Sequence, residues 1–341
     1  MVTMAEVAAR AGVTKQTVSN VVTGKVAVRP ETAARVRAAI EELGYKPNLV
    51  ARSLATGTTM TVGLFVPTVV NPFYCEVVEE VEDVLMRHGY NLLLATTQGD
   101  AERTRQHLEI LTARSVDALL VAGDEGVAEQ LPTLTGVRFP VALCAWEVDP
   151  PDSLPVVSID YEHAGFLAGQ HLRELGHENI IVIADLPAHQ RRIDGLRRAF
   201  GRDGLTVSDQ AVFATAQSSP DGGFDAATGA LAAYPDATAI FATHDILALG
   251  ALEAAKLAGR DVPRDLSVVG FDDIAEVGRA HPALTTIAFP KRQMAQEAVE
   301  LLLRAVQSGE PPANAISLLR PRLVVRSSSA PPPARGVDAV A

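Results

Sequence analysis

From residue 61 onward the chain alternates short, continuously apolar runs with longer segments in which apolar positions recur every three or four residues. TVGLFV precedes FYCEVVEEVEDVLMRHG, YNLLLAT precedes a helical pattern near 101 to 113, and DALLVA and VALCAW follow. The rhythm continues with a helix from Tyr161 to Leu175, NIIVIAD, a helix near 190 to 203, ATAIFAT, a helix from His244, and LSVVGFD. Apolar runs of this length suit strands covered on both faces, and the helical segments between them supply the crossovers that parallel pairing requires. Parallel sheets with right-handed crossovers are therefore expected. About ten strands are too many for one unit, and PPDSLPVV at 150 to 157 marks a boundary, so the pattern predicts two doubly wound subdomains.

The first sixty residues follow only the helical period. Thr3 stands three residues before Glu6, the spacing at which two side chains cap each other's backbone N–H, so a helix is expected from Met4. Met4, Val7, Ala8 and Ala11 give it one apolar stripe, and Gly12 can end it in a left-handed turn. Thr14 then caps a second helix with Val18, Val21 and Val22 pointing inward. A third helix opens at Pro30, with Ala34, Val36, Ile40 and Leu43 available to close a three-helix core. Two helices joined by a short Gly-containing turn match a helix-turn-helix. Lys15, Gln16, Thr17, Ser19 and Asn20 then face outward, where Lys can reach guanine and Gln or Asn can pair with adenine in the major groove.

Charge sharpens that division. The 341 residues carry a net charge of -11, yet residues 1 to 60 hold eight basic and four acidic side chains, or +4, leaving -15 for the remainder. A basic head is suited to a polyanion, and the acidic body to something else. No apolar run approaches the roughly 20 residues that span a bilayer, and Glu6 and Arg10 interrupt any leader pattern. A soluble cytoplasmic chain with no membrane partner is expected. Cys75 and Cys144 lie in apolar segments without CxxC spacing and read as buried thiols.

No phosphate-binding, dinucleotide, nucleophile-elbow or HExxH motif occurs, so no enzyme, cofactor or metal is expected. His171 and His177, six apart, read as a solvated turn. Of the paired acids Asp272 and Asp273, one is expected to face a ligand and the other to cap the following helix. Open α/β sheets bind ligands beyond the carboxyl ends of their strands. Those ends carry Asn71 to Tyr74, Trp146, Asp160, Arg192, His244, Asp245 and Asp272, a mix of aromatic, acidic and guanidinium groups suited to a polar small molecule such as a sugar.

The run VTMAEVAARAGVTKQTVSNVVTGK, then RPETAARVRAAIEELGYKPN, then ARSLATGTTMTVGLFVPTVVNPFY resembles the lactose-repressor (LacI/GalR) family of bacterial transcription regulators, with similarity extending to about residue 326. The resemblance implies a helix-turn-helix head (1–46), a hinge helix and linker (47–59), and a periplasmic-binding-protein-like α/β body (60–326). The body divides into a first subdomain at about 60–159 and 291–316 and a second at about 160–290 and 317–326. SSSAPPPARGVDAVA, 327–341, is expected to be a disordered tail.

It also implies a DNA-facing set of Thr3, Thr14, Lys15, Gln16, Thr17, Ser19 and Asn20. In the hinge, Asn48 and Ala51 would lie near the minor groove, Arg52 at a phosphate, and Leu54 would be wedged into a base step. Phe73, Tyr74, Trp146, Asp160, Arg192, His244, Asp272 and Phe289 are the implied effector contacts, and Arg192 and Gly195 form the family's RxxG pattern. His244 replaces a common asparagine, Phe289 a common glutamine, CAWE an Asp-Arg pair, and Ser218 the aromatic of purine-responsive relatives. The expected protein is a homodimeric repressor of a pseudo-palindromic double-stranded DNA site, controlled by a small-molecule effector, most simply a sugar. A nucleoside- or nucleobase-responsive regulator is the alternative, and a sugar-binding protein that ignores DNA is a rival opposed by the basic head.

Overall fold

The computed structural model describes residues 2–24, 26–46, 53, 57–113, 116–123, 127–149, 151–312 and 315–333. The head is three helices: α1 (Met4–Ala11), α2 (Lys15–Thr23) and α3 (Pro30–Leu43). Thr3 and Glu6 form the reciprocal cap, with the Thr3 amide donating to Glu6 Oε2 at 2.7 Å, and Gly12 ends α1 at φ 63°. Val7, Ala8, Ala11, Val18, Val36 and Ala39 make the buried centre, and Val21, Val22, Ile40 and Leu43 pack around it. Ala34, expected inside, is exposed; with Pro30 at the first helical position, Ala33, Val36 and Ala39 take the inward stripe.

The body contains two six-stranded sheets. The first holds β1 (Thr61–Val66), β2 (Asn91–Thr96), β3 (Ala118–Ala122), β4 (Val141–Cys144), β5 (Val156–Ile159) and β11 (Ile316–Leu319) in the order β11-β5-β4-β3-β1-β2. The second holds β6 (Ile180–Ala184), β7 (Val212–Ala214), β8 (Ala239–Ala242), β9 (Ser267–Asp272), β10 (Thr285–Ala288) and β12 (Arg322–Val324) in the order β12-β10-β9-β8-β6-β7. Every pairing is parallel except β10 with β12. Helices cover the faces: α4 (Pro72–Arg87), α5 (Ala101–Thr112), α6 (Leu131–Thr135), α7 (Tyr161–Glu174), α8 (Gln190–Gly201), α9 (Pro220–Ala233), α10 (Asp245–Leu257) and α11 (Lys291–Ser308). The central strands are buried along their whole length, as expected for parallel strands sandwiched between helices.

The chain passes between sheets after β5, between β10 and α11, and between β11 and β12. PPDSLPVV is thus not itself the boundary, because its last two residues, Val156 and Val157, open β5 of the first sheet and the change of sheet comes at residue 160. No described helix is long and apolar enough to cross a membrane.

Helices α7 and α8 meet at glycines. A methyl group on Gly165 would lie 1.9 Å from the Arg192 carbonyl oxygen, and one on Gly195 would lie 1.8 Å from the Glu162 carbonyl oxygen. The RxxG spacing therefore has a packing reason: only backbones that touch place Arg192 where it stands.

Three expectations are corrected. Cys75 is exposed, on the outer side of α4, while Cys144 is buried, where desolvation raises its thiol pKa. His171 and His177 are buried instead of solvated: His177 bonds Thr238 Oγ1 (2.9 Å), Ser267 Oγ (3.0 Å) and the Ala330 carbonyl (2.9 Å), and His171 bonds Ser329 Oγ (2.9 Å). The same contacts show that residues 327–330 are not a loose tail. Ser328 is fully buried, donating to the Val268 carbonyl at 2.6 Å and accepting the Thr285 amide at 2.7 Å.

Candidate functional site

Two sites emerge. On the head, Lys15 and Gln16 are exposed at the start of α2, and Thr17, Ser19 and Asn20 are half-buried. Gln16 Nε2 donates to Asn20 Oδ1 at 3.1 Å, so the two amides lie side by side on the outer face. Thr14 Oγ1 accepts the Thr17 amide at 3.1 Å and fixes the first turn, as Thr3 does for α1. Asn48, Ala51, Arg52 and Leu54 lie outside the described residues.

In the body, the carboxyl ends of the two sheets face one small enclosed cavity. Phe73 and Tyr74 come from the start of α4, Ala145 and Glu147 from the segment after β4, and Tyr161 from the start of α7. His189 and Arg192 come from the start of α8, His244 from the end of β8, Asp272 from the end of β9, and Phe289 from the end of β10. Arg192 is the centre: its Nη2 lies 2.7 Å and its Nε 2.9 Å from Glu147 Oε2, and Nη1 donates to the Thr243 carbonyl. The guanidinium lies 4.1 Å from the Phe271 ring centroid and 5.0 Å from that of Tyr161. Burial opposes its charge, but Glu147 and then Asp272 outweigh that and raise its pKa. Arg192 is therefore a fixed cation.

His244 Nδ1 lies 2.8 Å from Asp272 Oδ2, and His189 Nδ1 lies 2.9 Å from Thr243 Oγ1, the two imidazoles meeting edge to face at 4.2 Å. Desolvation, followed by Arg192 and His244, pushes the His189 pKa well down, so this ring is neutral. Behind them Asp245 is fully buried; desolvation first and Asp272 second push its pKa up to about 7, against hydrogen bonds from Thr286 Oγ1 (2.6 Å) and the Ile274 amide (3.0 Å). Asp272 and Asp273 have φ of 120° and 53°, a conformation that L-residues avoid. It costs on the order of 1–3 kcal/mol per residue, and it turns Asp272 inward. Lys291 holds the kink by donating to both carbonyl oxygens, at 2.7 and 3.0 Å. Asp273 does not cap the next helix; it pairs with Arg326.

Six of the expected effector residues, Phe73, Tyr74, Arg192, His244, Asp272 and Phe289, line this cavity. Two do not. Asp160 is exposed and caps α7 by accepting the His163 amide at 2.8 Å, and Tyr161 takes its place. Trp146 is buried in the apolar cluster of the first sheet beside Phe65 and Leu143. Ala145 has φ 47°, and that left-handed step sends Trp146 inward and leaves Glu147 facing the cleft. Glu147, Tyr161 and His189 were missed, although each stands within a few residues of a strand's carboxyl end. A larger groove of about 1130 Å³ runs past the amino ends of the first sheet's strands. Its Asp117 is saturated by Thr59 and the Met60 amide, and it gathers no comparable cluster of buried polar groups.

Residues 3–48 match the model for bacterial regulatory proteins of the lacI family, and residues 170–329 match a periplasmic binding protein-like domain. The chain is 35% identical to the HTH-type transcriptional repressor PurR of Aliivibrio fischeri (strain ATCC 700601 / ES114), across 96% of this chain and 98% of that protein. It also resembles the solved complex of the transcriptional regulator CelR with cellobiose, at 30% identity over 96% of this chain and 100% of that one with a TM-score of 0.71. The lac repressor dimer bound to operator and the anti-inducer ONPF superposes with a TM-score of 0.82, at 27% identity over 96% and 99% of the two chains. The comparisons and the three-helix head agree: this chain belongs to the lacI family of bacterial regulatory proteins and is a DNA-binding transcriptional repressor.

Proposed function

We propose that the repressor binds a pseudo-palindromic operator as a homodimer and that a small polar effector, most simply a sugar, controls it from the cleft between the two sheets. One observation carries the effector reading: Arg192, Asp272 and His244 from one lobe meet Glu147 and four aromatic rings around a common cavity. Carboxylates and a guanidinium bond hydroxyl pairs in two-point fashion, and ring faces cover the apolar side of a pyranose or furanose. The resemblance to a regulator solved with cellobiose supports a saccharide. A nucleoside or nucleobase is the second reading, favoured by the crowding of Phe73, Tyr74, Tyr161 and Phe289 at the same place.

A single recognition helix reads too few base pairs to find one site in a chromosome, so two heads related by a dyad are needed. The edge strand β2 leaves Leu93 and Leu94 39% and 38% exposed, and Val70 and Met86, before and near the end of α4, are exposed further, apolar groups of the first lobe suited to a second copy. The effector acts by preferring one lobe arrangement, and coupling of about 1–3 kcal/mol, a 5- to 150-fold change in operator affinity, is the expected scale.

The test is a thermal-shift panel of neutral sugars and nucleosides on the full chain, followed by operator gel shifts with each hit. Asp272→Asn is expected to lose the melting shift and the change in operator affinity together while still binding operator. A variant that responds like the parent places the effector elsewhere, and a hit confined to nucleosides replaces the first reading by the second.

A further inference from the structure

The first lobe reaches across the cleft with two acids. Glu76, on α4, accepts the Ala275 amide of the second lobe at 2.8 Å and pairs with Lys291 at 2.7 Å. Glu147, after β4, pairs with Arg192 of α8. The second contact differs from the first in depth: Glu147 and Arg192 are 4% and 5% exposed, and the cavity around them has room for about 20 Å³, roughly one water molecule. The protein's own carboxylate thus stands on the one arginine among the described residues of the cavity's lining, the group a polar effector would use.

We propose that Glu147 is a built-in substitute for the effector: it holds Arg192 and the closed arrangement of the lobes, and an effector enters by displacing it. This deepens the effector reading and rests on it for the location of the ligand. Its consequence is a charge rule. An anionic effector would satisfy Arg192 but strand Glu147 beside Asp272, two buried carboxylates with one cation between them. A neutral molecule with adjacent hydroxyls, or with a carbonyl or ring nitrogen beside an N–H, can accept from Arg192 and donate to Glu147 at once. Glu147 is therefore a specificity-determining residue that admits neutral effectors and rejects sugar acids and sugar phosphates.

The chain carries its own reporter. Trp146 is the single tryptophan, precedes Glu147, is 3% exposed, and its indole N–H has no partner among the described residues. Acrylamide quenching of its fluorescence and the small-angle scattering radius are measured on the full-length protein with no effector added. In Glu147→Ala the radius is expected to rise as the lobes part, quenching to rise because the segment that carries Trp146 into the first sheet's core is no longer tied to Arg192, and the melting temperature to fall. Tens of millimolar acetate, supplying the missing carboxylate, restores all three at constant ionic strength, while acetamide does not. Glu147→Gln, which keeps the volume, is expected to open the cleft without acetate rescue and remains informative if the alanine variant folds poorly. Asp149→Asn, which breaks the exposed ion pair with Arg191 at the cleft's lip, should leave Trp146 protected.

Quenching and radius unchanged in both Glu147 variants would overturn the proposal. So would rescue by acetamide as good as that by acetate, which would make Glu147 a space filler, or opening in Asp149→Asn as large as in Glu147→Gln. The readout needs no ligand, so a silent sugar and nucleoside panel leaves it intact, and an unchanged cleft in these variants leaves the effector reading intact.

Discussion

The recognition helix and the cleft treat polar side chains in opposite ways. On α2, Lys15 and Gln16 are exposed, and the hydrogen bonds among Thr14, Thr17, Gln16 and Asn20 stay within about one helical turn. In the cleft, Glu147, His189, Arg192, His244 and Asp272 are all buried, and each is bonded to a residue of another element. Duplex DNA brings its charge and hydration to an open surface, whereas a small molecule has to be surrounded. Function in the head is therefore separable from folding. Function in the cleft is part of the core.

The strongest way to break that contrast is Arg192→Ala. It leaves Glu147 and Asp272 buried without their cation, and a loss of about 3–5 kcal/mol is expected from urea denaturation of the body. A parental midpoint would mean that the cleft is as uncommitted as the head. Next comes Gly165→Ala, which drives a methyl group into the Arg192 backbone. Overpacking of about 1–3 kcal/mol is expected, with weakened effector response because α8 shifts.

The Asp245 carboxyl sharpens the contrast through pH. Its pKa is about 7 in the fold against 3.8 in an open chain, so the contribution it makes is present below about pH 4 and is lost as pH climbs to 7. His171, His177 and His189 are held below 6.5 by burial and act the other way, their contribution being lost as pH falls through that value. Asp245→Asn removes the opposing trend. Between pH 7 and 5 its urea midpoint should fall more steeply than the parent's, by up to about 1.4 kcal/mol per pH unit. Parallel profiles would show that Asp245 is ionised in the fold. The smallest effect on stability is expected from Gln16→Ala, within about 0.5 kcal/mol, although base preference in operator competition should relax by about 1–3 kcal/mol. A destabilised head would tie recognition to folding after all.

The head was legible because its signals are local. The Thr3–Glu6 cap, the Gly12 stop and the Thr14 cap act over a few residues, and only the inward phase of α3 was misjudged, by one position at Ala34. In the body, alternating strands and helices gave two wound sheets, and the strand-end rule with the family resemblance found Arg192, His244 and Asp272. The errors at Trp146 and Asp160 are also one-residue errors. Just past a strand, a single left-handed step such as Ala145 decides which neighbour enters the cleft, and no periodicity encodes that step. Residues 327–330 were misread for a related reason, since side chains and single backbone bonds dock them on β9 and β10 without any apolar repeat.

The order of caps, stripes and apolar runs by itself determined three helices followed by two parallel sheets, because those preferences depend on residues near one another in the chain. Which side chains meet in the cleft was decided only by tertiary structure. Glu147 and Arg192 are 45 positions apart, and their pairing depends on the turn at Ala145, the glycine contact between α7 and α8, and the approach of two lobes between which the chain crosses three times.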